Sequence, residues 1–134
     1  MRSVIVVDDQ LAFRSATRRS LAGSPFDLIG EAASAEEGIE LIARIHPDIV
    51  IMDVRLPGMD GIAAARLLAL NADHPDVVLV STYGIEDLPD LEHCGARGFV
   101  AKVRFGPDAL ASVIDPKGTD DTALSTEGRF TAII

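Results

Sequence analysis

A chain of 134 residues, 48 % apolar and 25 % charged, is long enough for one domain with a sizeable core and has the composition of a soluble globular protein. Its net charge of −9 argues against direct nucleic-acid binding, and its apolar runs are too short to span a bilayer. Asp8 and Asp9 interrupt the first of those runs, so it does not read as a signal peptide, and the single cysteine, Cys94, leaves no internal disulfide, as expected in the cytoplasm.

In chain order, "SVIVV" (3–7) reads as a β-branched strand that runs straight into Asp8 and Asp9. "LAFRSATRRSLAG" (11–23) reads as a helix ending at a glycine, with Phe13, Ala16, Thr17 and Leu21 inward and Arg14, Arg18 and Arg19 outward. "FDLIGEA" (26–32) is a second strand. The next helix opens on a capping box, Ser34 with Glu37, and runs to His46 before Pro47. "DIVIMD" (48–53) is a third strand, "MDGIAAARLLAL" (59–70) a helix that Asp60 can cap, and "DVVLVST" (76–82) a fourth strand. A short helix is expected within 87–95, truncated by Pro89; "RGFVAK" (97–102) is a fifth strand and "GPDALASVI" (106–114) a last helix, stopped at Asp115-Pro116.

Five alternations with apolar central strands predict an α/β domain: a five-stranded parallel sheet, order 2-1-3-4-5, with helices on both faces. Ligands in such folds sit beyond the C-terminal strand edges, at the switch point between strands one and three. Asp8 and Asp9 end strand one, Asp53 strand three, Ser81 and Thr82 strand four, and Lys102 strand five. A lone aspartate at a strand end is usually a solvated turn or a helix cap. Three carboxylates, two hydroxyls and an ammonium converging on one rim are harder to ascribe to chance. An Asp8–Asp9–Asp53 cluster is a hard-oxygen site suited to Mg²⁺, because three carboxylates without a cation would repel strongly.

"VIVVDDQ", "GEAASAEEGIELIARIHPDIVIMDVRLPGMDGI", "VVLVST" and "CGARGFVAK" together resemble the receiver domain of bacterial two-component response regulators. The texture is closest to the branch that carries a C-terminal helix-turn-helix. The resemblance covers residues 1–114 and implies a flavodoxin-like fold in which Asp53 accepts a phosphoryl group from a sensor histidine kinase. It implies that Asp9 and Asp53 bind Mg²⁺ with the backbone carbonyl of Arg55, and that Asp8 acts through a bound water. Ser81 would hydrogen-bond the phosphoryl group, Lys102 would pair with it, and Phe99 would be the aromatic whose rotamer follows Ser81. No turnover is expected beyond self-phosphorylation from a phosphodonor and slow self-dephosphorylation. Phe99 also fits as an ordinary core aromatic, and the alternative for the whole chain is a degenerate receiver, a phosphorylation-independent adaptor.

Some features depart from the pattern. Val103 follows Lys102 where the family usually has proline. His46, His74 and His93 have no ligand-like spacing and read as surface residues, and Cys94 reads as a core residue. Residues 115–134 lie outside the resemblance: "DPKGTDDT" is linker-like, and "ALSTEGRFTAII" is a strand or the start of a further domain. The apolar Phe130, Ile133 and Ile134 are expected to pack on this chain's own body or on a second copy, making a homodimer. DNA binding is expected only through a domain outside these residues.

Overall fold

The computed structural model describes residues 1–84, 91–115 and 130–134, and the backbone of 123–126. β1 (Arg2–Val7), β2 (Phe26–Ala32), β3 (Ile49–Asp53), β4 (Asp76–Ser81) and β5 (Gly98–Ala101) alternate with α1 (Leu11–Leu21), α2 (Ala35–Ile45), α3 (Gly61–Leu68) and, after β5, α4 (Pro107–Ile114). β6 (Ala123–Thr126) and β7 (Phe130–Ile133) close the chain. The expected helix within 87–95 falls in part on residues outside those described; its described end is a single 3-10 turn at Leu91–His93.

The sheet order is β2-β1-β3-β4-β5-β7-β6. The 2-1-3-4-5 arrangement holds, but the sheet is not five-stranded. β7 lies parallel to β5, with Phe99 opposite Ala132 and Val100 opposite Ile133, which makes six parallel strands; β6 then pairs antiparallel with β7. The reason is the edge that β5 would otherwise leave open. Its free backbone groups need partners, and the Thr131 N–H donates to the Arg97 carbonyl at 3.2 Å. The alternating side chains of β7 extend the core on both faces: Phe130 and Ala132 join one side and Ile133 the other. The tail therefore packs on this chain's own sheet, with Ile134 still half exposed. Gly98 permits the approach, since a Cβ there would stand 2.1 Å from the Thr131 carbonyl oxygen.

Helices cover both faces as the parallel pattern requires. α1 and α4 supply Leu21, Leu110, Val113 and Ile114 to the core on one face, and α2 and α3 supply Ala35, Ile42, Ala64, Ala65 and Leu68 to the other. Local signals place the helix ends. Ser34 Oγ accepts from the Glu37 N–H at 3.1 Å, and Asp60 Oδ1 accepts from the Ala63 N–H at 2.8 Å. His46 ends α2 in the left-handed region at φ 55°, and Gly23 follows α1 at φ 78°. The expected inner face of α1 needs correction. Thr17 and Leu21 are buried, but Ala16 is exposed and Arg14 turns inward. Arg14 lies one turn into the helix, beside the C-terminal edge of β1 and β2. There it donates both to the Glu31 carboxylate and to the Asp8 carbonyl, which outweighs exposing the small apolar surface of Ala16.

Candidate functional site

Parallel strands end together, so the residues that close β1, β3, β4 and β5 meet at one rim. Asp8 follows β1 and is fully buried, Asp53 closes β3 and is 5 % exposed, and Ser81 closes β4 and is buried. Asp9 is exposed. β5 stops at Ala101, so Lys102 opens a 3-10 turn, Lys102–Arg104, rather than ending the strand. That turn carries the ammonium back over the rim.

Carboxylate oxygens of Asp8, Asp9 and Asp53 lie within 4.8 Å of one another. Lys102 Nζ stands 2.7 Å from Asp8 Oδ2 and 3.5 Å from Asp53 Oδ2. The contact with Asp8 Oδ2 is one of charge without hydrogen-bond alignment, while Asp8 Oδ1 accepts from the Gln10 N–H at 2.8 Å. Burial pushes the Asp53 carboxyl up, and the neighbouring Asp8 charge adds to the push. Lys102 and the Arg55 backbone N–H pull it back, leaving its pKa at about 6. Ionising Asp53 in this pocket thus costs more than ionising an ordinary carboxyl, and added positive charge would lower that cost.

That charge balance tests the fit of a metal. Three carboxylates face one ammonium, two of the three are buried, and the third opens to solvent where bound waters have room. A small hard dication that keeps part of its hydration shell matches this donor set. Arg14 is not spare charge for the site. It donates to the Asp8 carbonyl at 2.7 Å and pairs with Glu31 at 3.1 Å, and Arg18 also pairs with Glu31.

The loop after β3 closes the floor. Gly58 makes its turn at φ 76°. The Gly61 N–H donates to the Val54 carbonyl at 2.8 Å, and a Cβ at Gly61 would lie 2.1 Å from the Asp53 carbonyl oxygen. Only glycine lets α3 begin so near Asp53. Arg55 is exposed, its guanidinium 4.5 Å over the Tyr83 ring, and the Tyr83 N–H donates to Ser81 Oγ at 3.0 Å.

Asp8, Asp9, Asp53, Ser81 and Lys102 all sit at this rim, and Arg55 follows two residues after Asp53. Phe99 does not reach the rim. It lies fully buried two positions below the β5 end, with Leu79, Leu91, Cys94 and Phe130 in the same core cluster. Pairing of Ser81 with Ala101 and of Leu79 with Phe99 puts Ser81 and Phe99 on one face of the sheet. His46, His74 and His93 are exposed and Cys94 is buried. Thr82 is exposed just past the strand. Sequence reasoning missed Gln10, Phe13 and Arg14 as neighbours of the site. The available signal was their place at the N-cap and in the first turn of α1, which follows directly on the end of β1.

A family model for the response regulator receiver domain matches residues 4–115. The response regulator GacA of Pseudomonas viridiflava is 36 % identical over 106 residues, 76 % of this chain and 49 % of its own. A protein-glutamate methylesterase/protein-glutamine glutaminase of Methanosarcina acetivorans is 36 % identical over 101 residues, 73 % of this chain and 29 % of its own. The chain thus spans half or less of the length of these curated relatives. Among solved structures, the signal receiver domain of the response regulator NarL from Mycobacterium tuberculosis superposes with a TM-score of 0.77 at 28 % identity, covering 87 % of this chain and 98 % of that one.

Proposed function

This chain belongs to the response regulator receiver domain family, and on that premise we propose that it is a phosphorylation-activated switch whose acceptor is Asp53. The observation that carries the reading is the Asp8–Asp9–Asp53 cluster with the Lys102 ammonium set between Asp8 and Asp53. Asp9, Asp53 and the Arg55 carbonyl would hold Mg²⁺, with Asp8 acting through a bound water, and the ion would supply charge screening for an incoming phosphoryl group.

The chain's own residues do the rest. The ionised Asp53 carboxylate attacks phosphorus; an O–P bond forms while the donor's bond to phosphorus breaks, and the donor's leaving group keeps that electron pair and takes up a proton. Such a transfer needs positioning and neutralisation more than covalent assistance. The product brings three acceptor oxygens and added negative charge. Lys102 Nζ, 3.5 Å from Asp53, then shifts its pairing from Asp8 to a phosphoryl oxygen. Ser81 Oγ already accepts from the Tyr83 N–H, so its own proton is available to donate to another. Movement of Ser81 alters the packing on the sheet face it shares with Phe99, a local charge event that biases a two-state element. The donor in this reading is a sensor histidine kinase in the cytoplasm, and the receiver unit is residues 1–114 with β7 added at its sheet edge. The output in this reading is transcriptional control through a helix-turn-helix effector outside these residues, which the 34 % identity over 103 residues to a transcriptional regulator of Pseudomonas aeruginosa supports. Self-association on activation is part of the same proposal, tested by mass in solution with and without beryllofluoride.

The experiment is labelling by acetyl phosphate or phosphoramidate in Mg²⁺. A base-labile phosphoryl group should appear in the parent and be absent in Asp53→Asn. A parent that takes no label would favour the phosphorylation-independent adaptor instead.

A further inference from the structure

α1 brings an aromatic ring to the site that the phosphoryl-transfer reading does not use. Phe13, in the first turn of α1, lies with its ring centroid 4.7 Å from Lys102 Nζ. Its ring also meets Phe105 in an edge-to-face contact, centroids 5.6 Å apart and planes at 63°. The Phe105 N–H in turn donates to the Lys102 carbonyl at 3.2 Å, closing the turn that carries the lysine. Lys102 is therefore held at both ends: its backbone by the Phe105 turn, its ammonium between Asp8, Asp53 and the Phe13 face. The Gln10 side-chain oxygen, 3.4 Å from Nζ, completes the enclosure, and the lysine side chain is only 11 % exposed.

We propose that Phe13 is a positioning residue for phosphoryl transfer: its ring holds the Lys102 ammonium at the rim while that ammonium changes carboxylate partners. The physical argument turns on direction. A lysine stem has many rotamers, and an ammonium that leaves Asp8 for a group arriving on Asp53 would otherwise be free to turn out into water. A hydrogen bond would resist the swing because it is directional. An aromatic face attracts the cation over a broad area, so it can stay beneath the ammonium throughout. Phe105, edge-on, stops the Phe13 ring from turning away. This inference rests on the Asp53 acceptor reading, because the swing has a purpose only if a phosphoryl group arrives there.

Two measurements test it. Lys102 and Lys117 are the only lysines in the sequence, so their side-chain methylene signals are readily told apart by ¹³C-lysine NMR. In the metal-free parent the Lys102 Cε protons should be displaced upfield by the ring, and the displacement should vanish in Phe13→Leu and in the urea-unfolded chain. In the second measurement, phosphoramidate labelling of Phe13→Leu in Mg²⁺ should fall about three- to tenfold, with Phe13→Tyr staying within about twofold of the parent, as a cation–π contact of ordinary strength implies. Mg²⁺ affinity should be equal in all three proteins, which a merely structural loss of α1 packing would not leave intact. An unshifted Lys102 signal in the parent overturns the contact without need of any variant. A shifted signal with undiminished labelling of Phe13→Leu overturns the positioning role. Absence of label in the parent itself overturns the acceptor reading, and the positioning role with it, while the NMR shift still reports on the contact.

Discussion

Asp53→Asn should make the metal-free protein more stable at neutral pH, although it destroys the proposed acceptor. The folded pKa of Asp53 is about 6 against an ordinary 3.8, raised by burial and by Asp8. Between those values the folded chain binds more protons than the unfolded one, so stability falls as pH rises through the window. The full shift corresponds to about 3 kcal/mol above pH 6. An amide carries no charge to desolvate or to repel Asp8, but it gives a weaker partner to Lys102, so we expect a net gain of about 1–2 kcal/mol from the smaller pair of terms. For a domain of this size that is a rise in melting temperature of roughly 4–10 °C. The assay is thermal unfolding of parent and variant in EDTA from pH 4 to 8. The curves should converge near pH 4, where Asp53 is protonated, and separate above pH 6 with the variant the more stable. Saturating Mg²⁺ should narrow or reverse the gap, because it stabilises the parent by mass action. Identical melting at pH 8 in EDTA would refute the charge balance described for the site.

Other outcomes follow from the same geometry. Asp9→Asn should abolish most of the Mg²⁺-dependent rise in melting temperature while leaving the metal-free protein nearly unchanged, since Asp9 is exposed; a retained rise would mean the ion sits elsewhere. Lys102→Ala should keep Mg²⁺ binding, measured by the same thermal shift, but show no beryllofluoride-induced change in its amide spectrum, because the charge partner of the phosphoryl group is gone. Gly61→Ala should cost roughly 1–3 kcal/mol in urea unfolding and weaken Mg²⁺ binding, as the added methyl collides with the Asp53 carbonyl. Phe130→Ala, which empties a buried site beside β5, should cost roughly 3–5 kcal/mol; an unchanged urea midpoint would show that β7 contributes nothing to the fold.

The alternation of strands and helices was legible because it is written in local patterns. β-branched apolar runs, the Ser34 and Asp60 caps, and the glycine after α1 each act within a few residues. The rim followed from one further rule, that parallel strands end at the same edge, and this was enough to collect Asp8, Asp9, Asp53, Ser81 and Lys102. What the sequence by itself could not decide was pairing between distant segments. "FTAI" carries no mark that it belongs beside β5 rather than on a second copy, because backbone hydrogen bonds are the same for every partner. The choice falls to whichever open edge offers both free donors and an apolar face, and that edge exists only once β5 is in the sheet. Arg14 is a similar case. Helical periodicity points it outward, and only the arrival of Glu31 on β2 and the Asp8 carbonyl makes the inward orientation the better one. The raised pKa of Asp53 and the Phe13 face beside Lys102 belong to the tertiary structure for the same reason, since burial and the approach of charges far apart in sequence come only with the packed fold.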